Sequence, residues 1–229
     1  MKITAILLPL CLALASMHAS ATLVPTYDRF GTLAAADFGG SNKAVAIDTF
    51  TGKNVFGGST GTITLGLTVL PGSSSMPAVT NDGKGTFTAL VGADTSSLTS
   101  TLDQWAKWDL GWHIDGARTS NLYTYKLLLD VDPGTSEDFK TFIVGMNSEG
   151  TLNLGDFGRE LLGGYSFNPS KIGTYSMILE AVQFGTNNIV GMTSIVVNVA
   201  TANAVPEPGS LALLGGAIAG LIAARRRKA

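Results

Sequence analysis

Few residues in this sequence could perform catalysis, and the best candidates lie on one predicted strand. Asp109, His113 and Asp115 share its polar face, where they could form an acid–base pair or a metal site. His113 is the only histidine after residue 21, so a zinc site with two histidine ligands is excluded there. Because the opposite face of the strand carries tryptophans, we interpret the polar face as solvated surface.

Two further motifs match catalytic or phosphate-binding patterns only in part. The letters Gly-x-Ser-x-Gly of a hydrolase nucleophile elbow occur at residues 57–61. That motif activates its serine on a turn from a strand into a helix, whereas a strand pattern follows here. Neither Gly52-Lys53 nor Gly83-Lys84 is followed by the serine or threonine of a phosphate-binding loop. We therefore predict no catalytic residues and no enzymatic activity.

An acidic loop is a further candidate for a metal site. Its carboxylates are Asp130, Asp132, Glu137 and Asp138. Calcium is bound through several oxygen ligands, which such loops between strands can supply. The spacing of an EF-hand is not met, because Gly134 stands where the third ligand would be. Two interpretations stay open: a calcium site, and an acidic turn built on Pro133-Gly134, which the pattern favours. No other cofactor is indicated.

Three tryptophans lie close together in the sequence and could bind sugar rings by stacking if they were exposed. Trp108 and Trp112 alternate with charged or polar residues, which is typical of the buried face of a strand. Trp105 falls off that face. We expect Trp108 and Trp112 in the core and Trp105 at the surface.

The elements that would position these residues are predicted to be strands. Residues 62–69 and 123–130 show alternation of apolar and polar side chains, and glycine-rich turns recur between such segments. Residues 185–188 form a plausible hairpin loop. The pattern predicts an all-β fold, an antiparallel β-sandwich or jelly-roll-like domain over residues 22–203. The predicted strands are 44–50, 62–69, 86–91, 107–114, 123–130, 139–144, 174–184 and 189–199.

The N-terminus has the pattern of an export signal. Lys2 precedes an uncharged apolar run over residues 3–15, and small residues follow at Ala19-Ser20-Ala21. Signal peptidase recognises this order of features, so we predict a signal peptide over residues 1–21 and cleavage after Ala21. Cys11 is not a lipoprotein site, because Leu10 precedes it where a small residue is required.

The C-terminus combines a rigid motif, an apolar segment and a basic cluster. Prolines in the motif Val205, Pro206, Glu207 and Pro208 cannot lie inside a helix, so the motif should form an exposed hinge. An apolar helix over about residues 209–224 would just cross a thin bilayer. The cluster Arg225, Arg226, Arg227 and Lys228 should stay cytoplasmic, which places the rest of the chain outside.

This C-terminal order resembles the PEP-CTERM sorting signal of Gram-negative bacteria, a family also catalogued as an ice-binding protein C-terminal domain. The resemblance is limited to residues 205–229, and the preceding domain resembles no family we know. It implies processing by an exosortase, a membrane transpeptidase, and delivery to the cell envelope or an extracellular polysaccharide matrix. An ordinary tail anchor is the alternative. We do not extend the ice-binding description to the domain, because Thr62, Thr64 and Thr68 make only one short row.

Charge and cysteine content limit the possible partners of the mature domain. The chain has 15 Lys+Arg and 17 Asp+Glu; without Lys2, the four C-terminal cations and Glu207 these become 10 and 16, a net charge of −6. An acidic domain is not expected to bind nucleic acid. Cys11 is the only cysteine, so the mature domain has no disulfide.

Two functions from different classes follow. The first is an exported, exosortase-processed surface or extracellular-matrix protein, associated with biofilm or exopolysaccharide, non-catalytic and with a capacity to bind glycans. The second is a secreted β-sandwich enzyme acting on polysaccharide. The expected partners are signal peptidase, exosortase, exopolysaccharide and, before processing, the inner membrane, in which the precursor would be anchored with its C-terminus cytoplasmic.

Overall fold

A computed structural model describes residues 23–38, 44–54, 56–94, 105–116, 122–133, 139–145, 148–154 and 167–202. Thirteen strands are found within these residues. They are β1 (Arg29–Thr32), β2 (Ala44–Lys53), β3 (Ser59–Pro71), β4 (Thr80–Asn81), β5 (Thr86–Leu90), β6 (Ala93–Asp94), β7 (Trp105–Ala106), β8 (Trp108–Asp115), β9 (Tyr123–Asp130), β10 (Phe139–Val144), β11 (Glu149–Leu152), β12 (Gly173–Gln183) and β13 (Ile189–Ala200).

The strands form two main sheets. One sheet has five strands in the order β1-β2-β3-β8-β11, and all of its neighbours are antiparallel. The other has six strands in the order β10-β9-β12-β13-β5-β4. Strands β6 and β7 form a separate antiparallel pair. The prediction of an all-β domain is confirmed, and the eight predicted strands are all present.

One strand pair departs from the predicted antiparallel arrangement. Strand β5 runs parallel to β13, with Val196 opposite Thr86 and Ala200 opposite Leu90. A parallel pair needs a long crossover, which the intervening chain from β6 to β12 provides. The six-stranded sheet is therefore mixed. Strands β1, β4, β6, β7 and β11 were not predicted, because each has four residues or fewer and shows too little alternation.

The main core lies between the two sheets. In β3 the residues Ile63, Leu65 and Leu67 are fully buried, and they meet apolar residues of β12 and β13 in one cluster. Trp108 is 1% exposed and packs against Phe167 and Tyr175, with ring centroids 6.1 and 6.0 Å apart. The period-two pattern of the sequence thus sets which face of each strand points inward.

A second, smaller core covers the outer face of the five-stranded sheet. The segment of residues 33–38 lies over this face, so that Leu33 and Phe38 pack on Val45, Ile47 and Leu70. Gly111 of β8 makes this contact possible. A Cβ atom there would lie 2.9 Å from Cδ1 of Phe38, which is too close.

Parts of the sequence prediction lie outside the described residues. The signal peptide of residues 1–21 and the C-terminal segment of residues 204–229, including its predicted helix, are among them. In the part of the chain that the structure describes, no helix is long and apolar enough to cross a membrane.

Candidate functional site

An open cleft of about 530 Å³ lies at one end of the two sheets. It is formed by the loop between β2 and β3, the loop between β12 and β13, and the start of β9, so both sheets contribute to it. This volume is in the range of ligand-binding sites. The lining residues are Phe50, Thr51, Lys53, Asn54, Gly57, Leu122, Tyr123, Gln183, Asn188 and Val190.

The β2–β3 loop is held in place by Asn54. Its Oδ1 atom accepts hydrogen bonds of 2.9 Å from the backbone N–H groups of Phe56 and Gly58, and its own N–H donates to Gly58 O at 2.8 Å. Gly57 has a φ of 80°, which favours glycine. The Nδ2 group of Asn54 makes no hydrogen bond within the described residues and is left as a donor at the cleft.

The β12–β13 loop is held by a similar set of local bonds, and the predicted hairpin is confirmed. Gln183 N donates to Asn188 O at 2.9 Å, and Thr186 Oγ1 donates to Gln183 O at 2.8 Å. Phe184 N donates to Leu122 O at 2.6 Å, which joins this loop to the chain before β9. The side chains of Gln183 and Asn188 are exposed at the cleft.

An aromatic pair joins the two sheets at the wall of the cleft. The rings of Phe50 and Tyr123 meet edge to face, with centroids 5.5 Å apart and an angle of 86°. The hydroxyl oxygen of Tyr123 also accepts a 2.9 Å hydrogen bond from Lys53 N, so its hydrogen remains available to a ligand. The wall is therefore preorganised and carries both an apolar and a polar group.

Two exposed phenylalanines flank the cleft along the chain. Phe56 is 93% exposed and belongs to the β2–β3 loop, while Phe184 is 69% exposed and belongs to the β12–β13 loop. Burying large apolar rings is favourable, so these two exposed rings offer apolar surface beside the cleft.

The cleft is lined mainly by uncharged side chains. Among the lining residues that the structure describes, Lys53 is the only charged one, and none of them carries a carboxylate. Glycoside hydrolysis typically needs a pair of carboxyl groups on either side of the scissile bond. The cleft thus offers hydrogen-bond donors, acceptors, aromatic rings and one cation, a set suited to binding.

The predicted polar face of β8 is not a solvated surface, which corrects the sequence interpretation. His113 is 6% exposed, and the ring of Phe38 covers it with a centroid distance of 6.3 Å. Its Nδ1 atom lies 2.8 Å from Oε2 of Glu149, whose other oxygen accepts a hydrogen bond from Phe38 N. Burial acts to raise the pKa of Glu149, but the hydrogen bonds from Phe38 and His113 outweigh it and hold the pKa below its ordinary value.

Asp109 has a different environment on the same face. Burial and, to a smaller extent, the charge of Asp94 raise the pKa of Asp109 to about 6, against a 2.6 Å hydrogen bond from Asn153 Nδ2 that lowers it. Asp115 is exposed. The three residues Asp109, His113 and Asp115 share a face as predicted, yet the structure gives each its own surroundings rather than one joint site.

The acidic loop is described only in part. Asp130 is buried at the end of β9, and Asp132 forms a 2.8 Å ion pair with Lys171. Glu137 and Asp138 lie outside the described residues. Within the described ranges, no group of three or more His, Cys, Asp or Glu side chains could hold a metal ion. Calcium binding at this loop stays a prediction.

The tryptophans belong to the packing of the domain. Trp108 is buried as predicted, and Trp112 is partly buried against the main core. Trp105, expected to be the more exposed tryptophan, is partly buried like Trp112, and its Nε1 atom is inside the protein. Of the threonines considered for an ice-binding row, Thr68 is buried and donates a 2.7 Å hydrogen bond to Ala44 O.

Sequence reasoning did not find the cleft. Its residues come from three segments that are far apart in the chain, and only the glycine and asparagine residues of the two hairpin loops hinted that loops meet there. Phe184 was assigned to the predicted strand 174–184, and Phe56 lies between two predicted strands, so the sequence pattern singled out neither.

The described domain is an all-β unit of two packed sheets, and the chain that follows it carries a sorting signal. Residues 204–228 match the family model described as the PEP-CTERM protein-sorting motif, which confirms the resemblance noted over residues 205–229. The motif implies an exported protein that an exosortase processes and that is targeted to the envelope or surface of a Gram-negative cell. Neither curated proteins nor solved structures gave a match to the chain.

Proposed function

We propose that this protein is a non-catalytic component of the cell surface or extracellular matrix, associated with biofilm or exopolysaccharide, that binds glycans in its end cleft. The observation that carries the proposal is the lining of the cleft, whose described residues combine amide and hydroxyl groups with aromatic rings and include no carboxylate. The sorting motif supports the location.

The chemistry of a sugar matches this lining. Sugar hydroxyls need several donors and acceptors at fixed positions, which Asn54, Gln183, Asn188 and the Tyr123 hydroxyl supply. The apolar faces of sugar rings pack on aromatic side chains, and both loops of the cleft carry an exposed phenylalanine. Because the loops are tied by their own hydrogen bonds, little ordering is needed on binding.

The competing function is an enzyme that acts on polysaccharide. The strongest candidates for its acid and base would be Asp109 with its raised pKa and the pair of His113 and Glu149. His113 lies beneath Phe38, and none of these side chains lines the cleft. A substrate bound in the cleft would not reach them, which favours binding without hydrolysis.

The location and processing follow the sorting signal. Signal peptidase would cut after Ala21, and the precursor would then be held in the inner membrane by residues 209–224 with Arg225 to Lys228 in the cytoplasm. Exosortase would act near Pro206 to Pro208 and release the domain to the surface or matrix.

Binding to polysaccharides tests the function directly. The protein is passed through affinity gels that contain neutral and acidic polysaccharides, next to the variant Phe56→Ala plus Phe184→Ala. We expect retardation by at least one polymer and about a tenfold loss of affinity in the double variant, since two ring contacts together contribute at least about 1.4 kcal/mol.

A matched control uses exposed apolar residues outside the cleft. Ile143 and Ile172 are 76% and 57% exposed, and Ile143→Ala plus Ile172→Ala should bind as the wild type does. Absence of retardation by every polymer, or equal losses in both double variants, would contradict the proposal. Release of new reducing ends from a polymer would favour the enzyme instead.

A further inference from the structure

Lys53 is placed at the cleft by the backbone around it. It is the last residue of β2, and the register with β3 shifts between Gly52 and Lys53, so that Gly52 faces Gly61 while Lys53 faces Ser59. A bulge of this kind redirects the side chains at the end of a strand. The hydrogen bond from Lys53 N to the Tyr123 hydroxyl then fixes the backbone against the other sheet.

The side chain of Lys53 is exposed and forms no ion pair within the part of the chain that the structure describes. Lys53 takes part in none of the ion pairs found among the described residues, which join His113 to Glu149, Lys126 to Glu180 and Lys171 to Asp132. The described residues that line the cleft with it contain no carboxylate. Within this described lining, the positive charge of Lys53 is therefore not neutralised.

This local charge contrasts with the domain around it. The mature domain has a net charge of −6, from 10 basic and 16 acidic residues between positions 22 and 204. Such a domain repels acidic polymers at long range, but salt at about 0.1 M screens charges beyond about 10 Å. An anionic group inside the cleft would then be governed by Lys53 rather than by the distant carboxylates.

We propose that Lys53 makes the cleft selective for glycans that carry a negative charge, through an ion pair with a carboxylate or sulfate on one sugar unit. The inference rests on the proposed glycan-binding function and names its ligand class. Lysine suits this role because its ammonium group is a point charge on a long stem and can reach an anionic group at varied positions. The neutral donors of the cleft would hold the ring hydroxyls of the same unit.

The experiment compares three polymers that differ in charge chemistry. Polygalacturonate carries carboxylates, dextran sulfate carries sulfates and dextran is neutral. Affinities are measured for the full chain in mild detergent, for Lys53→Gln and for Lys84→Gln, which removes an exposed lysine from the turn between β4 and β5. Thermal melts of each variant show whether it is folded.

We expect the wild type to prefer a charged polymer over dextran. Lys53→Gln should lose about tenfold in affinity for that polymer, while Lys84→Gln should lose nothing, because a charge-assisted hydrogen bond differs from a neutral one by about this amount. Preference for polygalacturonate would assign a carboxylate, and preference for dextran sulfate would assign a sulfate.

Three outcomes would overturn the inference. The first is equal binding of dextran and the charged polymers with no effect of Lys53→Gln, which leaves the glycan-binding cleft itself in place if Phe56→Ala plus Phe184→Ala still weakens binding. The second is an equal loss in Lys53→Gln and Lys84→Gln, which indicates non-specific attraction. The third is no binding of any polymer, in which case the proposed function fails as well.

Discussion

The Nδ1 atom of His113 lies 2.8 Å from Oε2 of Glu149. The two residues are direct partners across the antiparallel pair of β8 and the short strand β11. The other oxygen of Glu149 accepts a hydrogen bond from Phe38 N. One carboxylate therefore joins β8 to the segment of residues 33–38 that covers the outer face of the sheet. Through its two oxygens, Glu149 thus connects the segment of residues 33–38 to the buried imidazole of His113.

We predict that Glu149→Ala destabilises the domain by about 1.5–3 kcal/mol at pH 7, the range for hydrogen bonds to a charged group. Since the pKa of Glu149 is held below its ordinary value, this stabilisation is present above the ordinary pKa and is lost as the pH falls through the folded value. Urea unfolding at pH 7 and pH 3.5 measures both effects. Glu149→Gln, which can still accept from Phe38 N, should lose less. Equal stability of wild type and Glu149→Ala would show that the hydrogen bonds of Glu149 do not stabilise the domain.

A second prediction concerns Asp109, whose pKa is raised from 3.8 to about 6. The folded state binds the proton more tightly than the unfolded chain, so the stabilisation is complete below about pH 4 and is lost as the pH rises through about 6. The loss is about 2 kcal/mol after allowance for screening by solvent. Asp109→Asn keeps an oxygen that can accept from Asn153 and removes the charge. It should be more stable than the wild type by that amount at pH 7.5 and equal to it at pH 4.

The control for this measurement lies on the same strand. Asp115 is exposed on the same face, so Asp115→Asn removes one negative charge from the same strand without removing a buried carboxyl. Urea unfolding from pH 4 to pH 8 gives all three curves. If the curves of Asp109→Asn and the wild type ran parallel, burial of the Asp109 carboxyl would not control the pH dependence.

The third prediction is calcium binding by the loop that contains Asp130 and Asp132. Asp132 already forms an ion pair with the ammonium group of Lys171, and calcium would have to displace this group. At a calcium level about 100 times Kd the native state gains about 2.7 kcal/mol, a rise in Tm of about 5–10 °C for a domain of this size. Thermal melts with millimolar calcium and then with chelator provide the measurement. Asp132→Asn, a change at an exposed residue, should abolish the rise, and a Tm unaffected by calcium would leave the loop as an acidic turn.

The fourth prediction is processing at both ends of the chain. In a host that has exosortase, the surface form should begin at Thr22 and lack Arg225 to Lys228, because signal peptidase and exosortase remove the terminal segments. In a host without exosortase, the basic cluster should remain attached, since moving four cations across an apolar layer is costly. Intact mass of the protein from both hosts decides between these states. A surface form that retained residues 225–228 would reduce the segment to a plain anchor.

Features whose pattern lies within one short segment of the sequence were predicted correctly. The alternation along β3 and β9 identified both strands and their buried faces, because side-chain direction in a strand depends only on position. The C-terminal motif was recognised for the same reason, as its parts are contiguous in residues 204–228.

Features that depend on distant segments were not predictable in this way. His113 looked solvated because nothing in β8 shows that Phe38, a residue with a φ of 38°, folds over it. The parallel pairing of β5 with β13 joins segments about a hundred residues apart in the chain. The cleft was missed because Asn54, Tyr123 and Gln183 meet only after both sheets have packed.

The direction of β13 has a mechanical consequence. The strand starts at Ile189, beside the cleft, and ends at Ala200, just before the sorting segment, so at about 3.3 Å per residue it spans about 36 Å. A polymer held in the cleft and the membrane anchor of the unprocessed precursor would pull on opposite ends of this one strand. Its neighbours β12 and β5 flank it on both sides. Such a load acts along the strand in shear, where many hydrogen bonds share the force at once, instead of opening them one after another.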